Sequence, residues 1–299
     1  MSAPGVAVVA NDGAAAPFRR AAILGVGLIG GSVAAALRRA GLAGEIVGSS
    51  PGQDARTAHA IGLVDRCEPD AARAVRDADL VVLAAPIAAI GRLFPVIAPH
   101  LAADALVTDS ASTKGSTVEA ARAALGDAFE RFVPGHPIAG GERHGPHAAR
   151  ADLFERAVTV LCPQPATGAG PLERVRALWT AFGARVTELS VQAHDELFAE
   201  VSHWPHAVAF ALCGAIAAGE RAETAQRFAG AGLRDTTRIA ASSADLWAGI
   251  LLDNREPVLA CAQAFERELA AVLDALRRAD RDALRARFEA ASAWRRGVG

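Results

Sequence analysis

From Arg19 onward, short runs of consecutive apolar residues alternate with longer stretches in which apolar residues recur at helical spacing. Runs at residues 21–24, 45–47, 80–84, 105–109, 132–133, 158–161 and 186–189 predict β-strands. Ala-, Arg- and Leu-rich stretches between them, such as 32–40 and 172–182, predict helices. Strands that are apolar throughout belong to a sheet covered on both faces, and strands separated by helices run parallel. Residues 19–189 are therefore expected to form an α/β domain with a doubly wound parallel sheet. After Leu189 strand signals stop, and the chain is helix-forming almost to Trp294. This predicts a second, all-helical domain over 190–299. Its helices at 208–217 and 258–276 carry more apolar surface than one thin layer hides, which favours burial against a second subunit over a self-contained bundle.

Composition narrows the class. The chain has 299 residues, 52% of them hydrophobic, and a net charge of −2. It can bury a large core, and its balance of charge suits neither a nucleic acid nor an anionic membrane as partner. Cys67, Cys162, Cys213 and Cys261 form no C-x-x-C pair and are expected to be small buried hydrophobes in a reducing compartment. Residues 1–18 are rich in Ala, Gly and Pro, with no positive charge before Arg19, and are expected to be a flexible tail, not a secretory leader. No run reaches the ~18 apolar residues of a membrane span, and the longest candidate, 207–218, fits a buried helix better. A soluble cytoplasmic protein is the expectation.

The run 21–24 leads straight into Gly25-Val-Gly-Leu-Ile-Gly30, and a helix follows with Gly31-Ser32. This is G-x-G-x-x-G between a strand and a helix, the mark of a Rossmann-type dinucleotide site. Gly25 permits the tight turn, and Gly27 lets the backbone approach a pyrophosphate. Gly30 brings the helix close to the strand, with Leu28 and Ile29 in the amide-rich turn facing the anion. NAD would call for Asp or Glu at the end of the second strand, to hold the ribose hydroxyls. Here the strand ends in Ser49-Ser50-Pro51, with Arg56 a few residues on. Two hydroxyls and no carboxylate favour NADP, or use of both cofactors; the alternative is that Asp54 reaches back and the serines only turn the chain.

Chemistry-bearing residues cluster in four places. Phe132–Gly145 reads F-V-P-G-H-P-I-A-G-G-E-R-H-G, too rich in Gly and Pro for a helix and too bent for an ordinary strand. It would present His136 on a stiff loop as a general base, or alternatively cap a turn with a buried ring. Thr108-Asp109-Ser110-Ala111-Ser112-Thr113-Lys114-Gly115 stands at a strand end, where Ser112 and Lys114 are expected to face the same crevice as Gly27. Ser112 suits a hydrogen bond to substrate hydroxyl or nicotinamide, and equally well a cap on the helix from Gly115. Next, His194-Asp195 precedes Ser202-His203-Trp204-Pro205-His206, where Pro205 should break or kink a helix and turn Ser202 and His206 off its axis. No H-E-x-x-H pattern accompanies these histidines, so no metal is expected. Last, Arg234 and Arg238 lie four apart, as suits a dicarboxylate or, more simply, a solvated face shared with Asp235.

Five segments, in order, resemble the prephenate/arogenate dehydrogenase family of tyrosine biosynthesis. They are G-V-G-L-I-G-G-S from Gly25, D-S-A-S-T-K-G from Asp109, G-H-P-I-A-G-G-E from Gly135, H-D at His194 followed by S-H-W-P-H from Ser202, and G-L-R-D-T-T-R-I-A from Gly232, leading to Leu246-Trp247. The likeness spans nearly all of residues 19–254. It implies that His136 takes the proton of the substrate's ring hydroxyl, with Ser112 beside that hydroxyl and the nicotinamide. It implies that Arg238 binds the ring carboxylate, that His206 and Ser202 line the pocket, that Arg234 lies with the substrate-binding group, and that Glu142 gates an ionic network. It also implies a homodimer through the helical domain. The reaction would be oxidative decarboxylation of prephenate, or of L-arogenate. Where many relatives have Lys-Ser-Gly after the glutamate, this chain has Arg143-His144-Gly145, and it ends at Gly299 without the regulatory domain that some relatives append. β-Hydroxyacid dehydrogenases and pyrroline-carboxylate reductases share the two-domain plan but lack the histidine loop. An inactive NAD(P)-sensing module would not be expected to keep Ser112, His136 and Arg238 together.

Overall fold

The structure, a computed structural model, describes residues 18–141 and 143–298. Most of the expected tail, residues 1–17, lies outside the described residues, as does Glu142. The chain divides into two compact units: one runs up to Asp195 and includes Ser242–Asp253, and the other comprises Glu196–Ala241 and the chain from Asn254 onward.

The first unit is built on β1 (Phe18–Leu24), β2 (Ala43–Ser49), β3 (Arg66–Cys67), β4 (Leu80–Leu83), β5 (Leu106–Asp109) and β6 (Phe132–Val133). They form a parallel sheet in the order β3-β2-β1-β4-β5-β6. Successive side chains of a strand point to opposite faces, so each apolar strand feeds two cores. Ala21, Ile23, Leu80, Val82 and Leu106 join Val33, Leu37, Phe154 and Trp179 in one. Ala22, Leu24, Val81, Leu83 and Val107 join Ile90, Phe94 and Val118 in the other. That is why these strands are apolar without alternation. The connecting helices are α1 (Leu28–Arg39), α2 (Asp54–Ala60), α3 (Ala71–Ala74), α4 (Ile87–Ile97) and α5 (Gly115–Ala124). The strand at Arg66–Cys67 is absent from the sequence reading; two half-exposed residues on a sheet edge leave no periodicity to detect.

A single parallel sheet does not account for the later strands. β7 (Gly135–Pro137), β8 (Val158–Leu161) and β9 (Arg185–Glu188) form a separate three-stranded sheet, with α6 (Ala169–Ala181) between β8 and β9. In it β7 runs antiparallel to β8, and β9 runs parallel. Pro134 explains the switch. It has no N–H with which to extend β6 along β5, and its carbonyl instead accepts from Cys162 N at 2.9 Å. Thus the segment read as too bent for a strand is strand on both sides of one proline.

α7 (Val191–Phe198) leads out of the first unit, and a π-helical turn over Ala199–His203 follows. α8 (Trp204–Ala217) then restarts with Pro205 in its first turn, where a missing N–H breaks no helical bond. The helix break expected at Pro205 takes this form. The second unit continues through α9 (Ala222–Arg227) and α10 (Ala231–Thr237); α11 (Ala244–Asp253) returns to the first unit and packs on α4. α12 (Arg255–Arg277) and α13 (Arg281–Arg296) close the chain, joined by Arg287 donating to both oxygens of Glu268 at 3.0 and 2.9 Å. The stretch 207–218, expected to be a buried helix, is helical, but within α8 only Ala209 is fully buried. Leu259, Phe265, Leu269, Leu273 and Leu276 of α12 are exposed. Among the described residues, no helix is long and apolar enough to cross a membrane.

Candidate active site

The crevice of an open parallel sheet opens where strand order reverses, here between the carboxyl ends of β1 and β4. The glycine turn fills that place. Gly25 has φ +98°, and a Cβ there would lie 2.6 Å from the backbone of Ala84 at the end of β4. A Cβ on Gly30 would lie 1.8 Å from the carbonyl oxygen of Gly25, so only glycine lets α1 start this close to β1. Gly27 is different: a Cβ there meets nothing within 4 Å. It is the N-cap of α1, with no side-chain cap and no acidic residue in the first turn, where Leu28 and Ile29 lie. Open space before uncapped helix amides fits a pyrophosphate.

The contrast yields an expected result. Gly27→Ala should weaken cofactor binding by about tenfold or more while leaving the melting temperature unchanged, because the methyl occupies ligand space. Gly30→Ala should lower the melting temperature. Calorimetry and a cofactor titration on both variants check this; equal melting losses would contradict it.

Beyond the turn, β2 ends with both serines turned inward. Ser50 Oγ accepts from Val26 N at 2.7 Å, tying β2 to the glycine turn. Ser49 Oγ lies 3.4 Å from the carbonyl of Pro69. Arg56 is exposed on α2, 3.3 Å from Gln53 Oε1.

The parallel register places the end of β5 along the same edge as the glycine turn. There Asp109, fully buried, accepts from Ala111 N at 2.8 Å and from Gly135 N at 3.1 Å. Its other partner is the ammonium of Lys114, also fully buried, which donates to Gly135 O at 2.7 Å. Lys114 therefore does not face the crevice. Its charge is spent inside, clamping β5 to the first residue of β7. Ser112 lies half-buried on the loop between the two members of this pair, just before α5. It does not cap α5: the Asp195 carboxylate does, taking Lys114 N and Gly115 N at 2.8 Å each.

His136 follows the clamped Gly135 in β7, opposite Val160, and is 9% exposed. Its Nδ1 lies 2.9 Å from Nε2 of His194, whose Nδ1 lies 2.8 Å from Asp195 Oδ1. Burial, helped by the nearby Lys114 charge, holds His194 below the usual histidine value despite its carboxylate partner. Burial pushes the Asp195 carboxyl up, but hydrogen bonds from His194 and the two backbone amides outweigh it and hold it below the usual range. Cys162, nearby, is pushed by burial up to about 12 and remains a neutral thiol.

In the second unit, His206 Nδ1 donates to the carbonyl of Ser202 at 2.8 Å, a bond that the π turn makes available. Burial, together with the positive charge of Arg238, holds His206 below the ordinary value. Ser202, His206 and Arg238 thus share one neighbourhood, since the 3-10 turn that Arg238 opens packs on α8. Arg234 is exposed on α10.

Comparison with known proteins now bears on the arrangement. A family model described as the nucleotide-binding domain of prephenate dehydrogenase matches residues 33–188, and one described as its dimerization domain matches residues 190–290. The chain belongs to the prephenate/arogenate dehydrogenase family. It is 33% identical to the cyclohexadienyl dehydrogenase of Zymomonas mobilis, across 91% of this chain and 93% of that protein. Among solved structures, the prephenate dehydrogenase of Aquifex aeolicus in complex with hydroxyphenyl propionate and NAD+ superposes with a TM-score of 0.87, at 32% identity, covering 94% of this chain and 98% of that one. The Synechocystis arogenate dehydrogenase gives 0.79 at 28% identity, covering 94% and 100%. The chain is accordingly an NAD(P)-dependent dehydrogenase of this family. Residues that sequence reasoning did not assign are His194 and Asp195, quoted only as a doublet, and the Asp109–Lys114 clamp. The signal available was the doublet itself, an imidazole next to an acid at the start of a helix.

Proposed function

We propose that this dehydrogenase carries out the oxidative decarboxylation of prephenate to 4-hydroxyphenylpyruvate in tyrosine biosynthesis, with His136 as the general base. The observation that carries the reading is the position of His136 in β7: it follows Gly135, which a buried clamp ties to the end of β5, and β5 ends at the same end of the main sheet as the glycine turn. A neutral ring there can take the hydroxyl proton as the hydride leaves the ring carbon. When bound, the nicotinamide accepts that hydride. Loss of the ring carboxylate as carbon dioxide then leaves a phenolate, to which His136 returns its proton. No net proton is released, and aromatisation drives the step. Ser112 is assigned to the same hydroxyl, and Arg238, with Ser202 and His206, to the ring carboxylate, for which a guanidinium is a suitable bidentate partner. Arg234 is assigned to the rim of that pocket, and Glu142 to its gate.

For the cofactor we favour NADP. Support comes from the missing carboxylate at the end of β2 and from exposed Arg56, with Ser50 keeping a hydroxyl hydrogen to donate. A homodimer through the helical half fits the exposed leucines of α12, and a cytoplasmic setting fits four free cysteines. L-Arogenate is the second candidate substrate, since the Synechocystis structure bears that name. Steady-state assays with each substrate and each cofactor test the reading. Prephenate with NADP should give the highest kcat/KM. Absence of turnover with both substrates would overturn the function, and a strong NAD preference would overturn the cofactor assignment.

A further inference from the structure

We infer that Asp195, His194 and His136 form a hydrogen-bonded relay, along which no proton travels, in which His194 is a positioning residue that fixes the tautomer of His136 so that Nε2 is the basic nitrogen. The inference rests on the proposed role of His136 as base. It follows from hydrogen-bond bookkeeping along one line of atoms. Asp195 is anchored at both oxygens by the amides of Lys114 and Gly115, and as a carboxylate it only accepts. His194 Nδ1, 2.8 Å away, must therefore carry a hydrogen. Burial keeps His194 neutral, so its Nε2 accepts. His136 Nδ1, 2.9 Å from that nitrogen, must then be the donor. In neutral His136 this leaves Nε2 as the lone-pair nitrogen.

The consequence is chemical. When the substrate O–H bond breaks and the Nε2–H bond forms, His136 becomes an imidazolium. Its Nδ1–H already points at His194, and His194 already points at a carboxylate. The new charge is met by dipoles and an anion that need no rearrangement, the same logic by which an aspartate orients a catalytic imidazole elsewhere. Among the described residues, the charged and titratable groups that act on His194 include the Asp109–Lys114 pair and Asp195, and Cys162 nearby is held as a thiol. The pair is internally neutralised, and Asp195 places a carboxylate beside His194. Capping α5 thus serves a second purpose. It holds that carboxylate ionised and stationary at the end of the relay.

Substitutions at His194 separate this from a space-filling role. Gln can accept from His136 Nδ1 with its carbonyl and donate to Asp195 with its amide, so His194→Gln should keep kcat within about tenfold of the native enzyme. His194→Leu removes both bonds and should lower kcat by about 10²–10⁴-fold, with the acid limb of the kcat–pH profile moved to lower pH because the imidazolium loses its support. Cofactor affinity should not change in either. Equal losses in both variants with an unmoved acid limb, or native kcat in His194→Leu, would overturn the relay. A readout without substrate distinguishes its failure from failure of the proposed reaction. Nitrogen-15 NMR of the resting enzyme should show His136 protonated at Nδ1 and bare at Nε2. Should the enzyme turn over neither substrate, that spectrum still decides the relay, and a proton on Nε2 would overturn it.

Discussion

Replacing His136 by Asn should lower kcat by about 10²–10⁴-fold, the range expected when a general base is lost. Cofactor affinity and melting temperature should remain close to native. Asparagine keeps a polar group near Nε2 of His194 and fits within β7, so the clamp at Gly135 and the pairing with Val160 survive. Only the titrating nitrogen is gone. The measurement is steady-state turnover beside a cofactor titration. Native turnover would remove His136 from its role, while parallel loss of cofactor binding would mean that the ring shapes the crevice and does no proton chemistry. The effect should fall on kcat, because the interaction removed is one made in the transition state.

The second large effect is on stability. Lys114→Met should destabilise the first unit by about 3–5 kcal/mol, the usual range for removing one partner of a buried ion pair. Two groups are stranded by the change. Asp109 is left at full burial with only backbone amides for partners, and the carbonyl of Gly135 loses its donor. For a unit of this size the melting temperature should fall on the order of 10 °C. Adding Asp109→Asn removes the stranded carboxyl, so the double variant should melt above Lys114→Met alone. A native melting temperature in the single variant would mean that the clamp contributes nothing. Since Gly135 precedes His136, turnover should fall as well.

The cofactor turn was legible in the sequence because its requirements are local: each glycine answers to a neighbour within a few residues or to the next strand, and the spacing displays them together. The main sheet was legible for a related reason, since strands feeding two cores are apolar at every position. The second sheet was not. β7 is three residues long, with a proline at its end and another just before it, and its partner lies over twenty residues further on, so nothing local marks it as strand. Lys114 was placed in the crevice because it follows the carboxyl end of a strand, where the ligands of open parallel sheets sit. What buries it is Asp109, five residues earlier, turned to meet it by the loop after β5. The relay escaped for want of locality. His194 meets His136 across 58 positions, and Asp195 meets Lys114 across 81. A doublet of imidazole and acid is visible in any sequence, but what it supports is visible only once the chain has folded.

The proposed chemistry turns on one nitrogen, Nε2 of His136. A ternary complex with cofactor and 4-hydroxyphenylpyruvate would give the distance from His136 Nε2 to the phenolic oxygen. A hydrogen bond of about 2.6–3.2 Å is the predicted result. A complex in which that oxygen meets a different side chain, with the imidazole turned away behind it, would contradict the account.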